Sequence, residues 1–483
     1  MSIAKIDVTE ALQQAGRLLR QDRSLSTQAR ALFNLLIVIV NLLVVIVNLL
    51  VAKLGLNSSN SSIPPSQDPH RERGSKRKGK GPKRKPGGQN GHEGATLQRD
   101  PNPDQIEDLP IDRRTIPPGR YKAAGFDSRQ VIDIEIHKHV TEYRAEILED
   151  AHGHQFVAQF PAGVTRPVQY GNRVKALSVY KSQQQLIPYQ RISDEFADQC
   201  GLPLSPGSVF NFNLEAFHLL ATFEAIVIRQ LILQTLLHAD ETGINVNGDG
   251  VWLHSLSNER WTLFFAQARR GAEAMIAMGV LPHFRGTLCH DHWKAYFQFT
   301  CQHVLCHAPH LRELQRAWQD DGHHWAENMR ALLLEINEAT TAVGGGLPEK
   351  PAEDFRGRYR SILIAGDREC PPPDPKEHAG RKGRQARTKS RNLLERLRDF
   401  ETETLRFMTD QQVPFTNNQG ERDLRMTKVQ QKISGCFRSF QGAQIFCRIR
   451  SYISTCRKHG LGATDALQIL FSGHLPDFIP RLK

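Results

Sequence analysis

The sequence predicts an α/β core of β-β-β-α-β order, divided by an α-helical insertion and preceded by an N-terminal helix, a basic linker and a small β-rich domain. Three observations carry this. Thr235–Tyr296 alternates apolar runs with polar turns in that strand and helix order. About 130 residues separate Asp291 from Glu421, too many for a loop, and they carry helical spacing. Composition breaks twice before residue 100, at the apolar run Leu32–Gly55 and at the basic, glycine-rich run Arg71–Gly94.

At 483 residues the chain can bury a large core. The net charge of +12 points to an acidic partner such as nucleic acid or a membrane surface. The eight cysteines follow no pairing pattern, and the first 22 residues are polar and mixed in charge. Both argue against a secreted disulfide scaffold and for free thiols in a reducing cytosol.

Residues 1–56 form the N-terminal helix. Within "LFNLLIVIVNLLVVIVNLLVAKLG", Asn34, Asn41 and Asn48 recur every seven residues, as in a zipper whose buried Asn fixes register. The remaining positions are apolar all round, so periodicity alone leaves a membrane span open. Residues 57–99 are a flexible linker. Its basic arm, with Arg71, Arg73, Lys76, Arg77, Lys78, Lys80, Lys83, Arg84 and Lys85, has nothing apolar to bury and is suited to neutralising phosphates. A solubilising linker is the plainer alternative.

Residues 100–190 read as a small β-rich, DNA-binding domain. Ile132, Ile134 and Ile136 alternate with polar residues, as a half-buried strand requires, and Gly153 marks a hairpin turn further on. His137, His139, His152 and His154 fit a polar strand face and turn better than a metal site. Residues 191–230 read as a helical connector.

Residues 231–325 are the first part of the core. A strand closes on His238-Ala239-Asp240, "NGDG" is a hairpin turn, two strands and a short helix follow, and "GTLCHD" is a fourth strand ending at Asp291. If the first and fourth strands are parallel neighbours, about 4.8 Å apart, their two carboxylates can share one hard divalent cation. Asp at a strand end is also an ordinary cap or turn residue. Glu241 is expected on the opposite strand face. His238 and His290, which precede the aspartates, suit packing and support of the site equally well. "CQHVLCHAPHLREL" offers Cys301, Cys306, His307 and His310 as zinc ligands or, alternatively, as a helix start. Residues 326–409 are the helical insertion, whose basic run Lys376–Arg391 suits DNA or a solvated face.

Residues 410–460 return to the core. In "VPFTNNQGERDLRMTKVQQK", Asn417 or Asn418 can cap a helix with Glu421 in its first turns and Arg425 one turn on. Glu421 could supply the third acid that a two-ion site needs, while a surface helix with an ion pair is the plainer reading of this stretch alone; Asp423 points elsewhere. Ile445, Phe446, Ile449, Tyr452, Ile453 and Cys456 share one helical face that closes the core. Residues 461–483 read as a C-terminal tail.

Together "HADETG", "WLHSLSNERWT", "RGAEAM", "LPHFRGTLCHDHWKAY", "LCHAPHLREL" and "VPFTNNQGERDLR", after "NSSNSSIPPSQDP" and the basic arm, resemble the insertion-sequence 66 family of DDE transposases from Leu56 to Pro476. The resemblance implies an RNase H-like core with Asp240, Asp291 and Glu421 as catalytic acids and metal ligands. It implies two Mg²⁺ ions, replaceable by Mn²⁺, and DNA strand cleavage and joining at insertion-sequence ends. DNA and further copies of the chain are the implied partners, with element-encoded helper proteins besides, and the setting is the bacterial cytoplasm at the nucleoid. Arg312, Arg422 and Arg425 become candidate DNA contacts. The family's cysteine-containing zinc segment has no counterpart between the linker and the core, so zinc is not expected. The family's N-terminal coiled coil favours an oligomerising helix over a membrane span for Leu32–Gly55. Two other readings compete: a catalytically inactive, element-derived DNA-binding protein, and a membrane-anchored protein with a nuclease-like domain.

Overall fold

The computed structural model describes residues 2–3, 6–7, 14–15, 17–19, 26–54, 97–373 and 387–481. The basic arm Arg71–Gly94 and most of the run Lys376–Arg391 lie outside them.

Helix α1 (Thr27–Leu54) begins where Ser26 Oγ accepts from Ala29 N at 3.2 Å. Most of its described apolar side chains are exposed, Leu32, Leu35, Val38 and Leu42 by more than half, while Ile37 and Val40 are partly buried. Asn41 Nδ2 donates to Ile37 O of its own helix at 2.9 Å. Among the described residues no helix is long and apolar enough to cross a membrane.

The chain divides into two compact units. The smaller takes Gly74–Ala162 and Asp194–Leu204. Its regular structure among the described residues is thin. Strands β1 (Ile147–Glu149) and β2 (Gln155–Val157) form an antiparallel hairpin, turned at Gly153 with φ 82°. Asp150 holds that turn by accepting from the backbone N–H of His152 and His154. The strand expected at Ile132–Ile136 does not form: all three isoleucines are exposed and the segment pairs with no other. Alternation specifies which face a strand would bury, but a ladder also needs an edge to pair with, and none is offered here. A β-rich description of this region is therefore corrected to one short hairpin in extended chain.

The larger unit holds the sheet. Helices α2 (Asn172–Val179), α3 (Tyr189–Cys200, whose second half belongs to the smaller unit), α4 (Pro206–Leu219) and α5 (Ala221–Ile232) lead to it. Strand β3 (Leu236–Val246) turns through Asn247 and Gly248, both at positive φ, into β4 (Asp249–Ser257). Such a two-residue turn with left-handed backbone matches the strand twist. β5 (Thr262–Gln267) continues the antiparallel meander; α6 (Ala272–Ala277) crosses over to β6 (Thr287–His290), and β7 (Gln302–Leu305) ends the sheet. The order is β5-β4-β3-β6-β7, with β6 and β7 parallel to β3. Gly286 permits the β3–β6 contact: a Cβ there would meet Thr235 O at 2.5 Å.

Asp240 is not at the end of its strand, as the sequence reading had it, but inside β3, which runs six residues further into the hairpin. Asp291 does follow β6 directly.

The insertion consists of α7 (His307–Gln319), α8 (His324–Ala342), α9 (Glu349–Glu369), α10 (Lys389–Asp399) and α11 (Glu401–Thr409). Leu314, Trp325, Met329, Leu333, Tyr359 and Leu394 share one buried cluster with Cys289 and Val304 of the sheet, so the insertion packs on the core it interrupts. Helices α12 (Asn418–Ser434) and α13 (Phe440–Lys458) complete a second cluster with Ile244, Leu253, Phe264 and Ala266. The face predicted for α13 is buried throughout. The last segment is more than a tail: α14 (Ala463–Phe471) buries Ala466, Leu467 and Leu470, and Tyr452 OH donates to Ala466 O at 2.6 Å.

Candidate active site

The pairing of β3 with β6 brings together the stretches that lead into Asp240 and Asp291. His238 is level with Cys289, so Asp240 and Asp291 each stand two residues beyond that pair. Each carboxylate is held by local backbone. Asp240 Oδ1 accepts from Glu241 N at 2.9 Å, and Asp291 Oδ1 from Trp293 N at 2.9 Å.

Glu421 arrives on the first turn of α12. Glu421, Leu424 and Lys428 recur at helical spacing, Leu424 is buried, and Lys428 Nζ donates to Gly243 O of β3 at 3.3 Å. Asn417 fixes the start of this helix. Its Nδ2 donates to Ala239 O at 2.8 Å, its Oδ1 accepts from His238 Nδ1 at 2.7 Å, and its N–H donates to Cys306 Sγ at 3.1 Å. Its side chain is spent on β3, so it does not cap the helix as the sequence suggested. One residue thus ties the helix of Glu421 to the strand immediately before Asp240.

The electrostatics report the same proximity. Burial, then the negative charges of Glu241, Asp291 and Glu421, push the Asp240 carboxyl up to about 7. Burial also raises Asp291, opposed by the Trp293 N–H and the positive charges of Arg270 and Arg396. Carboxylates gathered in a partly desolvated site hold protons until a cation replaces them.

Glu241 was set aside on the alternation of β3, yet its side chain is only 3% exposed and carries a second constellation. It accepts from Tyr296 OH at 2.6 Å and from Arg270 at 2.5 Å. The Arg270 guanidinium lies over the rings of Trp252 and Trp293, 4.7 and 4.3 Å from their centroids. Burial raises the Glu241 carboxyl, and Asp291 adds to it. "HWKAY" offered Trp293 and Tyr296 to the eye, and "RGAEAM" opens on Arg270, but nothing in the sequence tied these residues to Glu241.

Other predicted residues fall as follows. Asp423 does point away, into an ion pair with Lys458 at 3.0 Å whose side chains are 9% and 14% exposed. Arg422 and Arg425 are exposed on α12. Arg312 is half-buried on α7. His290 Nε2 and His303 Nδ1 are 3.0 Å apart, and burial drives His290 down to about 3. Cys306, His307 and His310 are buried, His307 sharing a hydrogen bond with Phe415 O at 2.9 Å. All eight cysteines are free.

Among the described residues, no three His, Cys, Asp or Glu side chains converge as a closed metal-binding group. Asp240 and Asp291 are the residues that could hold a hard divalent ion of the Mg²⁺ kind, which takes one or two carboxylates and completes its shell from water and substrate phosphate.

Comparison with known families agrees with this core. Residues 19–98, which include α1 and the basic arm, match a family of unknown function (DUF6444). No curated protein matches the chain. Residues 167–445, more than half the chain, match the Transposase IS66 family, and the match contains the sheet, the insertion and all three acids. The chain belongs to the IS66 family of transposases.

Proposed function

We propose that this transposase cuts and rejoins DNA strands at the ends of an insertion sequence by phosphoryl transfer assisted by two Mg²⁺ ions, with Asp240, Asp291 and Glu421 as the acids that hold them. The observation that supports this is the parallel register of β3 and β6, in which His238 pairs with Cys289 two residues before Asp240 and Asp291. The order of three antiparallel strands followed by two parallel ones supports an RNase H-like reading of the core.

Asp240 and Asp291 would hold one ion, and Glu421, on its separately anchored helix, would contribute to the second. Bound there, the ions supply positive charge that offsets the charge developing on the attacking and leaving oxygens. The protein's own work is positional. Glu241 N–H and Trp293 N–H orient the two aspartates, and Asn417 sets the position of α12. Trp252 and Trp293 keep Arg270 beside the acids, where it balances part of their charge. DNA held by the basic arm and by Arg312, Arg422 and Arg425, and assembly of several copies on two element ends, belong to the same proposal.

A strand-transfer assay with labelled element ends and Mg²⁺ tests it. Asp240→Asn, Asp291→Asn and Glu421→Gln each keep side-chain shape and remove a charge. Each is expected to bring cleavage to background with DNA binding kept. Normal cutting by Glu421→Gln, or a serine or tyrosine found joined to DNA, would overturn the assignment.

A further inference from the structure

The insertion is rich in arginine, and most of its described arginines pair with a carboxylate. Arg316 pairs with Asp321, Arg358 with Glu335 and Arg391 with Asp367. Arg312 on α7 and Arg330 on α8 differ. Both are half-buried, and neither has a carboxylate partner among the described residues. They face the same open cleft of about 390 Å³ between the two helices, with Gln315 and Leu311 completing its lining. Two guanidinium groups without counter-charge on one concavity repel each other unless an anion sits between them.

The cleft is attached to the acidic site. Cys306, which precedes α7, accepts from Asn417 N–H, and His307 N donates to Phe415 O at 3.2 Å. The N-termini of α7 and α12 are thereby stitched together. Glu421 lies one turn into α12 and Arg312 about one and a half turns into α7. On the DNA-cleavage reading, a strand cut at the acids carries further phosphates that a cleft on the joined α7 would take.

We infer that the Arg312–Arg330 cleft is a phosphate subsite, gripping the DNA backbone a short way from the cut by bidentate guanidinium contacts, with Gln315 donating a further hydrogen bond. This rests on the DNA-cleavage reading and adds to it a contact supplied by the insertion. Such a contact positions the strand and reads no sequence.

The test uses the full chain without divalent ion, so that binding is read apart from cutting. The probes are a duplex of the element end and a random duplex of equal length. In Arg312→Gln/Arg330→Gln, affinity for both should fall about tenfold and the salt slope should shrink by about one to two. Arg358→Gln, whose partner is Glu335, should change neither. A double variant that melts like wild type and binds with unchanged affinity and slope overturns the subsite. Scanning single methylphosphonates along the duplex checks the claim without the double variant: one neutral linkage should weaken wild type and leave Arg330→Gln unaffected. No such linkage overturns it. Inorganic phosphate that protects wild type but not the double variant, with DNA binding unchanged, would assign the cleft to a free anion and also overturn it. A normal response by a chain that never cuts would sink the catalytic reading and leave the subsite standing.

Discussion

At Asp240 the proton competes with the cation. The carboxyl is pushed from 3.8 up to about 7 by burial and by neighbouring acids. Below about pH 4 it is protonated in folded and unfolded chain alike, and contributes no penalty. As pH rises towards 7 the unfolded chain ionises and the folded one does not, so stability is lost across that window and stays lost above it. Asp240→Asn should therefore stabilise the ion-free protein at pH 8 relative to pH 5, by roughly 2–4 kcal/mol in urea melts. Mg²⁺ should raise the melting temperature of wild type at pH 8 and leave that of Asp240→Asn where it was. Equal pH dependence in both proteins would mean that the carboxylates do not share a site. The strand carrying Asp240, the strand before Asp291 and the helix carrying Glu421 were legible from apolar patterning, while the choice of these three acids came from the family resemblance. Glu241 was not legible, because alternation gives a residue's face and says nothing of what reaches that face from elsewhere. Arg270, 29 residues on in sequence, and Tyr296, 55 on, supply its partners.

Among the elements, α12 depends on its anchors. Asp423 and Lys458 join α12 to α13, and Lys458 also donates to Asn258 O at 2.8 Å and Thr262 Oγ1 at 2.6 Å. Breaking this buried pair from one side leaves a charge without compensation. Asp423→Asn should cost about 3–5 kcal/mol, and Asp423→Asn/Lys458→Met should recover much of it. Denaturation of the two variants decides, and a single variant as stable as wild type would show the pair to be idle. Strand β5, at the sheet edge, is closed by the neighbouring helix: Thr455 Oγ1 and Ser451 Oγ of α13 accept from Thr262 N and Phe264 N at 3.1 and 2.8 Å. The apolar stripe of α13 was readable from its period. Its two hydroxyl contacts were not, since nothing in the sequence of a helix tells which strand edge it will meet. At Ile132–Ile136 the opposite happened: the pattern was present and the edge was missing.

For the whole molecule, α1 presents an apolar surface that awaits a partner. Leu32, Leu35, Val38 and Leu42 stand open to solvent, on a helix whose asparagines keep a seven-residue spacing. A second copy of the helix is the occupant expected from that spacing. Deleting Leu32–Gly55 should dissociate oligomers of the full chain in detergent-free buffer, as read by light scattering. Recovery of the full-length protein in membranes, with the deletion variant still oligomeric, would refute this.

The order of the acids along the chain also sets a time at which danger begins. A ribosome that has completed the insertion has already released the strands carrying Asp240 and Asp291, but Glu421, Lys458 and the helix that seals β5 are still to come. Chains cut short by damage or by a stop codon before that point would keep the basic arm and lack the third acid. If the basic arm holds element ends and Glu421 completes the site, as proposed, such chains would occupy those ends without cutting them, and a broken copy of the gene would restrain its intact siblings.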